Sequence, residues 1–178
     1  MRIIAGRWRG RTLRAPAGRE TRPTADRVRE AWMSALQFDL SDARVLDLFA
    51  GSGALGLEAL SRGAAHVTFV ERAARPLAAL RANIADLDAA DACTVVRADV
   101  LTWIPTLDEH AFDLALADPP YGLGLAERLA ESFAVRPFAG WLWIEHGADE
   151  RLPDIEGAER RRYGDTALTR IPAPEHSQ

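Results

Sequence analysis

The sequence contains no lysine, because all 22 basic residues among its 178 are arginine. It has one cysteine, Cys93, which excludes an intramolecular disulfide framework and is typical of a small apolar core residue. No uncharged stretch approaches the roughly 18 apolar residues of a membrane span, and no apolar segment of a signal peptide follows the first arginines. We therefore expect one domain, without a membrane segment, in the cytoplasm.

The arginines are distributed unevenly along the chain. Residues 1–30 hold nine arginines against three acidic residues, whereas the remainder holds 13 arginines against 23 acidic residues. An excess of +6 at one end of a chain with a net charge of −4 indicates a basic arm for a polyanion. Arg7, Arg9 and Arg11 surround Trp8, a combination that suits RNA phosphates and exposed bases. A solvated N-terminal segment is the alternative interpretation.

Strand and helix patterns alternate from residue 41 onwards. Short apolar runs predict strands over 44–49, 66–70, 94–97, 112–117 and 141–145. Helices are expected over 54–62, over 73–87 and within 122–135, with a short helix or turn over 100–108. Residues 158–163 and 166–171 predict a closing hairpin. This alternation predicts an α/β fold with a mostly parallel, seven-stranded sheet and helices on both faces.

A small N-terminal extension precedes the sheet. Glycines separate short β-like pieces in residues 2–14, which predict a hairpin, and Thr24 is a candidate N-cap for a helix from Ala25 to about Gln37. The apolar face of this helix includes Trp32, which we expect in the core. Residues 171–178 are expected to form a disordered tail. Three arginines lie off the apolar face and are available to a ligand: Arg22, Arg27 and Arg29.

Glycines or acids follow the first three predicted strands, whose carboxyl ends share the edge at which ligands bind. Gly51, Gly53 and Gly56 have the spacing of a nucleotide-binding turn that opens a helix, with Gly51 and Gly53 approaching the ligand and Gly56 packing against the strand. Glu71 lies 20 residues after Gly51 and suits the two hydroxyls of a ribose. Asp99 is placed to accept a hydrogen bond from an adenine amine.

Asp47 distinguishes between two classes of nucleotide site. It lies four residues before the glycines, where a carboxylate would repel the pyrophosphate of a dinucleotide. The same carboxylate suits a cationic ligand, such as the amino group and sulfonium of S-adenosylmethionine. The first strand therefore favours S-adenosylmethionine over a nicotinamide cofactor.

The fourth predicted strand runs into Asp118-Pro119-Pro120-Tyr121. Asp118 offers a carboxylate acceptor, the prolines stiffen the turn, and Pro119 presents its carbonyl while having no N–H of its own. Tyr121 offers a flat face on which an extruded base stacks. Two acceptors and an aromatic face are what an exocyclic amine on a planar base requires. The motif therefore predicts methyl transfer to such an amine, driven by alignment and electrostatic support, although an ordinary proline-rich turn has the same sequence.

The array of motifs resembles the class I S-adenosylmethionine-dependent methyltransferases. The chain as a whole resembles one family, the bacterial 16S rRNA (guanine(966)-N(2))-methyltransferases. This resemblance rests on residues 1–11, 22–30, 47–59 and the Asp-Pro-Pro turn, and spans roughly residues 1–145. It implies a Rossmann-like enzyme that methylates a guanine 2-amino group in 16S rRNA of the small ribosomal subunit or its assembly intermediate. We expect it to act as a monomer.

The resemblance implies a division into a basic RNA-binding extension over 1–40, a methyltransferase domain over 41–172 and a flexible tail over 173–178. The catalytic residues it implies are Asp118, Pro119, Pro120 and Tyr121. The predicted cofactor-binding residues are Asp47, Phe49, Gly51, Ser52, Gly53, Glu71, Arg72, Asp99 and Val100. The predicted RNA-binding residues are Arg7, Trp8, Arg9, Arg11, Arg22, Thr24 and Arg27.

The residues alone leave alternatives open. Asp-Pro-Pro-Tyr also allows a DNA or RNA methyltransferase that acts on adenine N6 or cytosine N4, although no separate target-recognition domain is evident. A nicotinamide-dependent oxidoreductase is a second alternative, but this sequence lacks the Tyr-Lys or His pair that such an enzyme would use. A non-catalytic RNA-binding factor that retains the same fold is the third. The histidines are scattered without metal-ligand spacing, so no metal is predicted. Glu145 and His146 are interpreted as the end of the fifth strand.

Overall fold

The computed structural model describes residues 1–15, 23–36 and 39–174, with the backbone alone described over 23–28. Its centre is a seven-stranded sheet in the order β3-β2-β1-β4-β5-β7-β6. Strands β1 to β5 are parallel, whereas β7 is antiparallel to both β5 and β6. The strands are β1 (Arg44–Leu48), β2 (His66–Val70), β3 (Cys93–Val96), β4 (Phe112–Ala117), β5 (Ala139–Gly147), β6 (Glu159–Tyr163) and β7 (Thr166–Pro172).

Helices cover both faces of the sheet. In β1, Val45 points to one apolar cluster and Leu46 to the other, because successive side chains of a strand face opposite sides. The first cluster contains side chains of α1, α2 and α3, and the second contains those of α4 and α5. The helices are α1 (Pro23–Ala35), α2 (Ala54–Ser61), α3 (Ala74–Asp86), α4 (Val100–Trp103) and α5 (Leu125–Val135), with 3-10 turns at Ala90–Ala92 and Ile104–Thr106.

The predicted mostly parallel, seven-stranded α/β sheet is confirmed, as is the closing hairpin. Two strands were underestimated: β5 extends from residue 139 to residue 147, and β7 extends to Pro172. The disordered tail predicted from residue 171 is therefore wrong at its start, because Ile171 is buried opposite Leu142 of β5. Residues 175–178 lie outside the described residues.

The first helix corrects two predictions. It begins at Pro23, so Thr24 lies inside the first turn and is not the N-cap. Arg29 does not face a ligand, because it is 7% exposed and donates a hydrogen bond to the Arg2 carbonyl at 3.0 Å. Trp32 is fully buried, as predicted.

The N-terminal segment forms a hairpin-like turn with a single isolated antiparallel bridge between Arg2 and Thr12. Ile3 and Leu13 are buried in the same apolar cluster as α1, α2 and α3. The segment therefore packs against the body of the fold. Across the part of the chain that the structure describes, the helices are too short or too polar to cross a membrane.

Candidate active site

The register of the sheet brings the predicted site residues to one edge. Leu48 of β1 pairs with Val70 of β2 and Ala117 of β4, and Ala117 pairs with Ile144 of β5. The next residue of each strand therefore stands at the carboxyl edge of the sheet, where ligands of open α/β folds bind. These next residues are Phe49, Glu71, Asp118 and Glu145.

The turn after β1 borders an open space at only one of its glycines. Gly51 has a φ of +57°, and a Cβ added there would meet nothing within 4 Å. A Cβ at Gly53 would lie 2.3 Å from Leu80 Cδ1, and one at Gly56 would lie 2.4 Å from Phe69 Cε1. Gly56 packs against β2 as predicted, and a Cβ at Gly53 would point into the core. Phe49 also has a left-handed φ of +59°, a strained conformation that is typical of functional turns.

Glu71 holds this turn in place. Its Oε2 accepts a hydrogen bond from the Gly51 N–H at 2.9 Å, and its Oε1 accepts one from the Ala73 N–H at 2.7 Å. A carboxylate has about four lone-pair positions, so acceptor capacity remains for further donors. Glu71 thus supports the glycine turn and can still accept hydroxyl groups from a ligand.

Asp47 is a buried carboxyl group beneath the turn. It is 1% exposed, and its Oδ2 accepts a hydrogen bond from the Gly56 N–H at 2.9 Å. Burial raises the pKa of Asp47 to about 7, and the charges of Asp118 and Glu71 add to the rise, while the hydrogen bond from Gly56 opposes it. A nearby cation would favour the ionised form. The site is therefore poised for a positively charged ligand.

Asp99 is held by local contacts. Its Oδ1 accepts hydrogen bonds from the N–H groups of Leu101, at 3.1 Å, and Thr102, at 3.4 Å, and so caps α4. Its Oδ2 forms a 3.1 Å ion pair with Arg72, whose side chain is 73% exposed. Val100 is buried in the core, so only its backbone is available to a ligand.

Ser52 is buried in the turn. Its carbonyl accepts a hydrogen bond from Asn83 at 2.9 Å. The turn is therefore braced from α3 as well as from Glu71.

The Asp-Pro-Pro-Tyr turn follows β4 directly. Asp118 and Pro120 are exposed, Pro119 is buried, and Tyr121 is 44% exposed. The Tyr121 hydroxyl donates to Glu145 Oε1 at 2.7 Å and lies 3.3 Å from Thr166 Oγ1. Burial raises the pKa of the Tyr121 hydroxyl, and the charges of Glu145 and Asp118 contribute to the rise. The phenol is therefore neutral at physiological pH and acts as a hydrogen-bond donor.

The basic N-terminal turn is anchored away from this edge. The Arg7 N–H donates to the carbonyl of Ser61, at the end of α2, and the Trp8 N–H donates to Ser61 Oγ. The loop between α2 and β2 lies beside the residues that precede β1, because the Asp42 N–H donates to the Gly63 carbonyl. The turn therefore lies towards the edge at which the strands begin. The charge of Arg7 also acts on Cys93, the first residue of β3, which agrees with this position. Burial raises the pKa of Cys93 to about 11, and the Arg7 charge opposes this rise.

The predicted RNA-binding side chains have different surroundings. Arg7 stacks on the Trp8 ring, with Cζ 3.9 Å from the ring centroid, and Arg9 is exposed. Arg11 donates to the Asp86 carbonyl at 2.6 Å. Arg22 and the side chains of Thr24 and Arg27 lie outside the described residues.

The chain matches the family model described as "Conserved hypothetical protein 95" over residues 1–171. It belongs to this family. It is 41% identical over 156 residues to ribosomal RNA small subunit methyltransferase D of Escherichia coli K12, covering 88% of this chain and 74% of that protein. It is 37% identical over 159 residues to the protein of the same name in Haemophilus influenzae, covering 85% and 81%.

The fold is also similar to that of solved structures. The solved structure of Escherichia coli yhhF is similar to this fold with a TM-score of 0.83 and 33% identity, covering 98% of this chain and 99% of that one. The family resemblance and the Rossmann-like methyltransferase fold predicted from the sequence are confirmed.

Sequence reasoning missed three residues that support the site in this family member. Glu145 was interpreted only as a strand end, although it follows an apolar run of residues just as Glu71 does. Glu150 bridges the N–H groups of Gly122 and Gly147, each at 2.7 Å, and carried no local signal. Asn83 faces the interior of an amphipathic helix, where a polar residue signals a buried contact.

Proposed function

We propose that the protein is an S-adenosylmethionine-dependent methyltransferase that modifies the exocyclic N2 of a guanine in 16S rRNA of the small ribosomal subunit. The observation that carries this proposal is the placement of Asp118-Pro119-Pro120-Tyr121 beside the glycine turn, across neighbouring strands β4 and β1. The names of the relatives support ribosomal RNA as substrate. The choice of guanine N2 rests on the family resemblance stated above.

The cofactor site fits the chemistry of S-adenosylmethionine. Gly51 borders an open space, Glu71 retains acceptor capacity for ribose hydroxyls, and Asp47 offers a carboxyl group to a cation. The cofactor would also contact three residues of the same turn: Phe49, Ser52 and Gly53. Arg72, Asp99 and the Val100 backbone would border the adenine.

When bound, S-adenosylmethionine would supply an electrophilic sulfonium methyl group to the nitrogen of the base. Asp118 and the Pro119 carbonyl accept hydrogen bonds from the amine, which directs the nitrogen lone pair towards the methyl group. Asp118 takes up the proton that the nitrogen releases. Tyr121 stacks on the base, and Pro120 keeps the turn rigid. Most of the acceleration comes from this alignment.

The basic N-terminal turn would contact the RNA away from the target base. Arg7, Trp8, Arg9 and Arg11 lie towards the edge at which the strands begin, and a five-residue strand such as β1 spans about 16 Å. A folded ribosomal RNA easily covers that distance. Arg22, Thr24 and Arg27 are also proposed to bind RNA.

The test is methylation of small ribosomal subunits from a strain that lacks the modification, with labelled S-adenosylmethionine as donor. The RNA is digested, and the labelled nucleoside is identified by chromatography and mass spectrometry. Label in N2-methylguanosine supports the proposal, whereas label in N6-methyladenosine or N4-methylcytidine identifies a different amine. Absence of label from subunits, naked rRNA and DNA, with cofactor binding intact, would leave a binding protein as the better description.

A further inference from the structure

Glu145, two residues before the end of β5, contacts the Tyr121 side chain of the Asp-Pro-Pro-Tyr turn. Ala117 of β4 pairs with Ile144, so Asp118 and Glu145 follow at adjacent positions of the same edge. Glu145 Oε1 accepts the hydrogen bond of the Tyr121 hydroxyl at 2.7 Å. From β7, Thr166 Oγ1 lies 3.3 Å from the same hydroxyl. The Tyr121 ring is thus fixed at its polar end by two neighbouring strands.

Glu150 holds the backbone of the same turn. Its Oε1 accepts from the Gly122 N–H and its Oε2 accepts from the Gly147 N–H, both at 2.7 Å. Gly147 is the last residue of β5. The end of β5 and the loop after it therefore secure both the side chain and the main chain of the turn.

We infer that Glu145 is a positioning residue for the target base: it fixes the Tyr121 ring in its stacking orientation, while Glu150 fixes the backbone beneath it. This inference rests on the proposed function of the Asp-Pro-Pro-Tyr turn. A ring that is 44% exposed, beside Gly122 with a φ of +75°, would otherwise sample several orientations. Misplacement of a stacking partner removes part of the rate that alignment provides.

The charge of Glu145 adds a pH dependence to this support. Burial raises the pKa of Glu145 to about 7, the charge of Asp118 adds to the rise, and the Tyr121 hydrogen bond opposes it. Asp118 and Tyr121 are the titratable groups that face Glu145. An ionised carboxylate accepts a hydrogen bond more strongly than a neutral one. The hydrogen bond between Glu145 and the Tyr121 hydroxyl therefore strengthens as the pH rises through about 7.

The first test measures methyl transfer to small ribosomal subunits by Glu145→Gln, Tyr121→Phe and the double variant, with Glu131→Gln on the exposed face of α5 as control. Each single variant should lower kcat/KM for the RNA by about tenfold, with cofactor affinity retained. The double variant should lose no more than the singles, because both remove the same contact. The rate of the parent protein should rise as the pH passes through about 7, and Glu145→Gln should make this rise smaller.

Additive losses in the double variant, or an unaltered pH profile in Glu145→Gln, would overturn the inference. A second measurement is independent of activity. The chain has two tyrosines, so Tyr163→Phe leaves Tyr121 as the only one, and its ionisation is followed by near-ultraviolet absorbance at alkaline pH while circular dichroism confirms folding. Adding Glu145→Gln should lower the midpoint, and an unchanged midpoint would refute the contact. If the midpoint of tyrosine ionisation falls but the parent protein methylates no RNA, the contact exists and the proposed function is refuted. The base-positioning role is then refuted as well.

Discussion

The side-chain amide of Asn83 joins α3 to the glycine turn, with Nδ2 2.9 Å from the carbonyl oxygen of Ser52. The same nitrogen donates to the Arg14 carbonyl at 3.0 Å, and Asn83 Oδ1 accepts from the Arg14 N–H at 2.8 Å. Asn83 is 1% exposed. One buried amide therefore connects the basic N-terminal segment with the turn proposed to bind the cofactor.

Replacing Asn83 with alanine should destabilise the protein and weaken cofactor binding. It leaves the Ser52 carbonyl and both backbone groups of Arg14 without this partner, and the buried Ser52 contact alone is worth about 1–3 kcal/mol. Urea unfolding measures the stability and calorimetry measures the affinity. Arg81→Ala, at an exposed position of the same helix, is the control and should change neither. Equal effects of the two substitutions would contradict the role of Asn83.

Alanine at Gly51 and at Gly56 should separate ligand binding from folding. A Cβ at residue 51 projects into open space, so Gly51→Ala should weaken cofactor binding at a folding cost of about 1–2 kcal/mol for the left-handed φ. A Cβ at residue 56 would lie 2.4 Å from Phe69 and 2.9 Å from Asp47, so Gly56→Ala should lower the unfolding free energy much more. Thermal unfolding and calorimetry on both variants test this contrast, which a larger loss of stability in Gly51→Ala would refute.

Asp47 should make the stability of the ligand-free protein depend on pH. Its pKa is raised from 3.8 to about 7 in the folded state, so the folded protein binds the proton more tightly than the unfolded chain. The resulting stabilisation is complete below about pH 4 and is lost as the pH rises through about 7. Asp47→Asn, which keeps an oxygen acceptor for Gly56, should flatten this part of the profile in urea titrations. A variant profile with the same slope as the parent would show that another group titrates.

Proton release should accompany cofactor binding for the same reason. A cation beside Asp47 favours the carboxylate, so binding near pH 7 expels a proton. Calorimetry in buffers of different ionisation enthalpy measures this release. The release should disappear in Asp47→Asn.

Asp118→Ala should abolish methyl transfer and leave cofactor affinity within about twofold. The residue lies at the end of β4, on the base side of the proposed site, and its carboxylate is proposed to hold the amine. Single-turnover assays and calorimetry measure the two properties separately. Loss of cofactor binding would place Asp118 in the cofactor site instead.

Neutralising Arg7, Arg9 and Arg11 together should weaken RNA binding and reduce its salt dependence. The slope of log affinity against log salt is negative, and each lost phosphate contact reduces its magnitude by about 0.7–0.9. Loss of three contacts would therefore reduce the magnitude by about 2–3. Exposed Arg75, Arg81 and Arg128 supply a control variant with the same change of net charge. Similar slopes for both triple variants would refute a specific RNA-binding role for the N-terminal turn.

Local patterns were sufficient for most of the fold. The apolar runs of β1, β2 and β4 and the periodicity of α3 and α5 predicted those elements to within a few residues, because burial on both faces of a parallel strand requires continuous apolar sequence. The ends of β5 and β7 were harder to predict. β5 and β7 are antiparallel neighbours, and their hydrogen-bonded pairs extend beyond the apolar run from which β5 was predicted. This pairing joins residues far apart in sequence, so the local pattern does not show where it ends.

The sequence by itself determined the order of strands and helices, the glycine turn and the Asp-Pro-Pro-Tyr motif, because each depends on residues that are consecutive in the chain. Only the tertiary structure decided that Glu145 and Thr166 hold Tyr121, that Asn83 joins Arg14 to Ser52, and that the arginine-rich turn is anchored on Ser61. These contacts join residues 24 to 69 positions apart. A side chain's partner at such separations depends on strand register and helix packing, which local propensity does not encode.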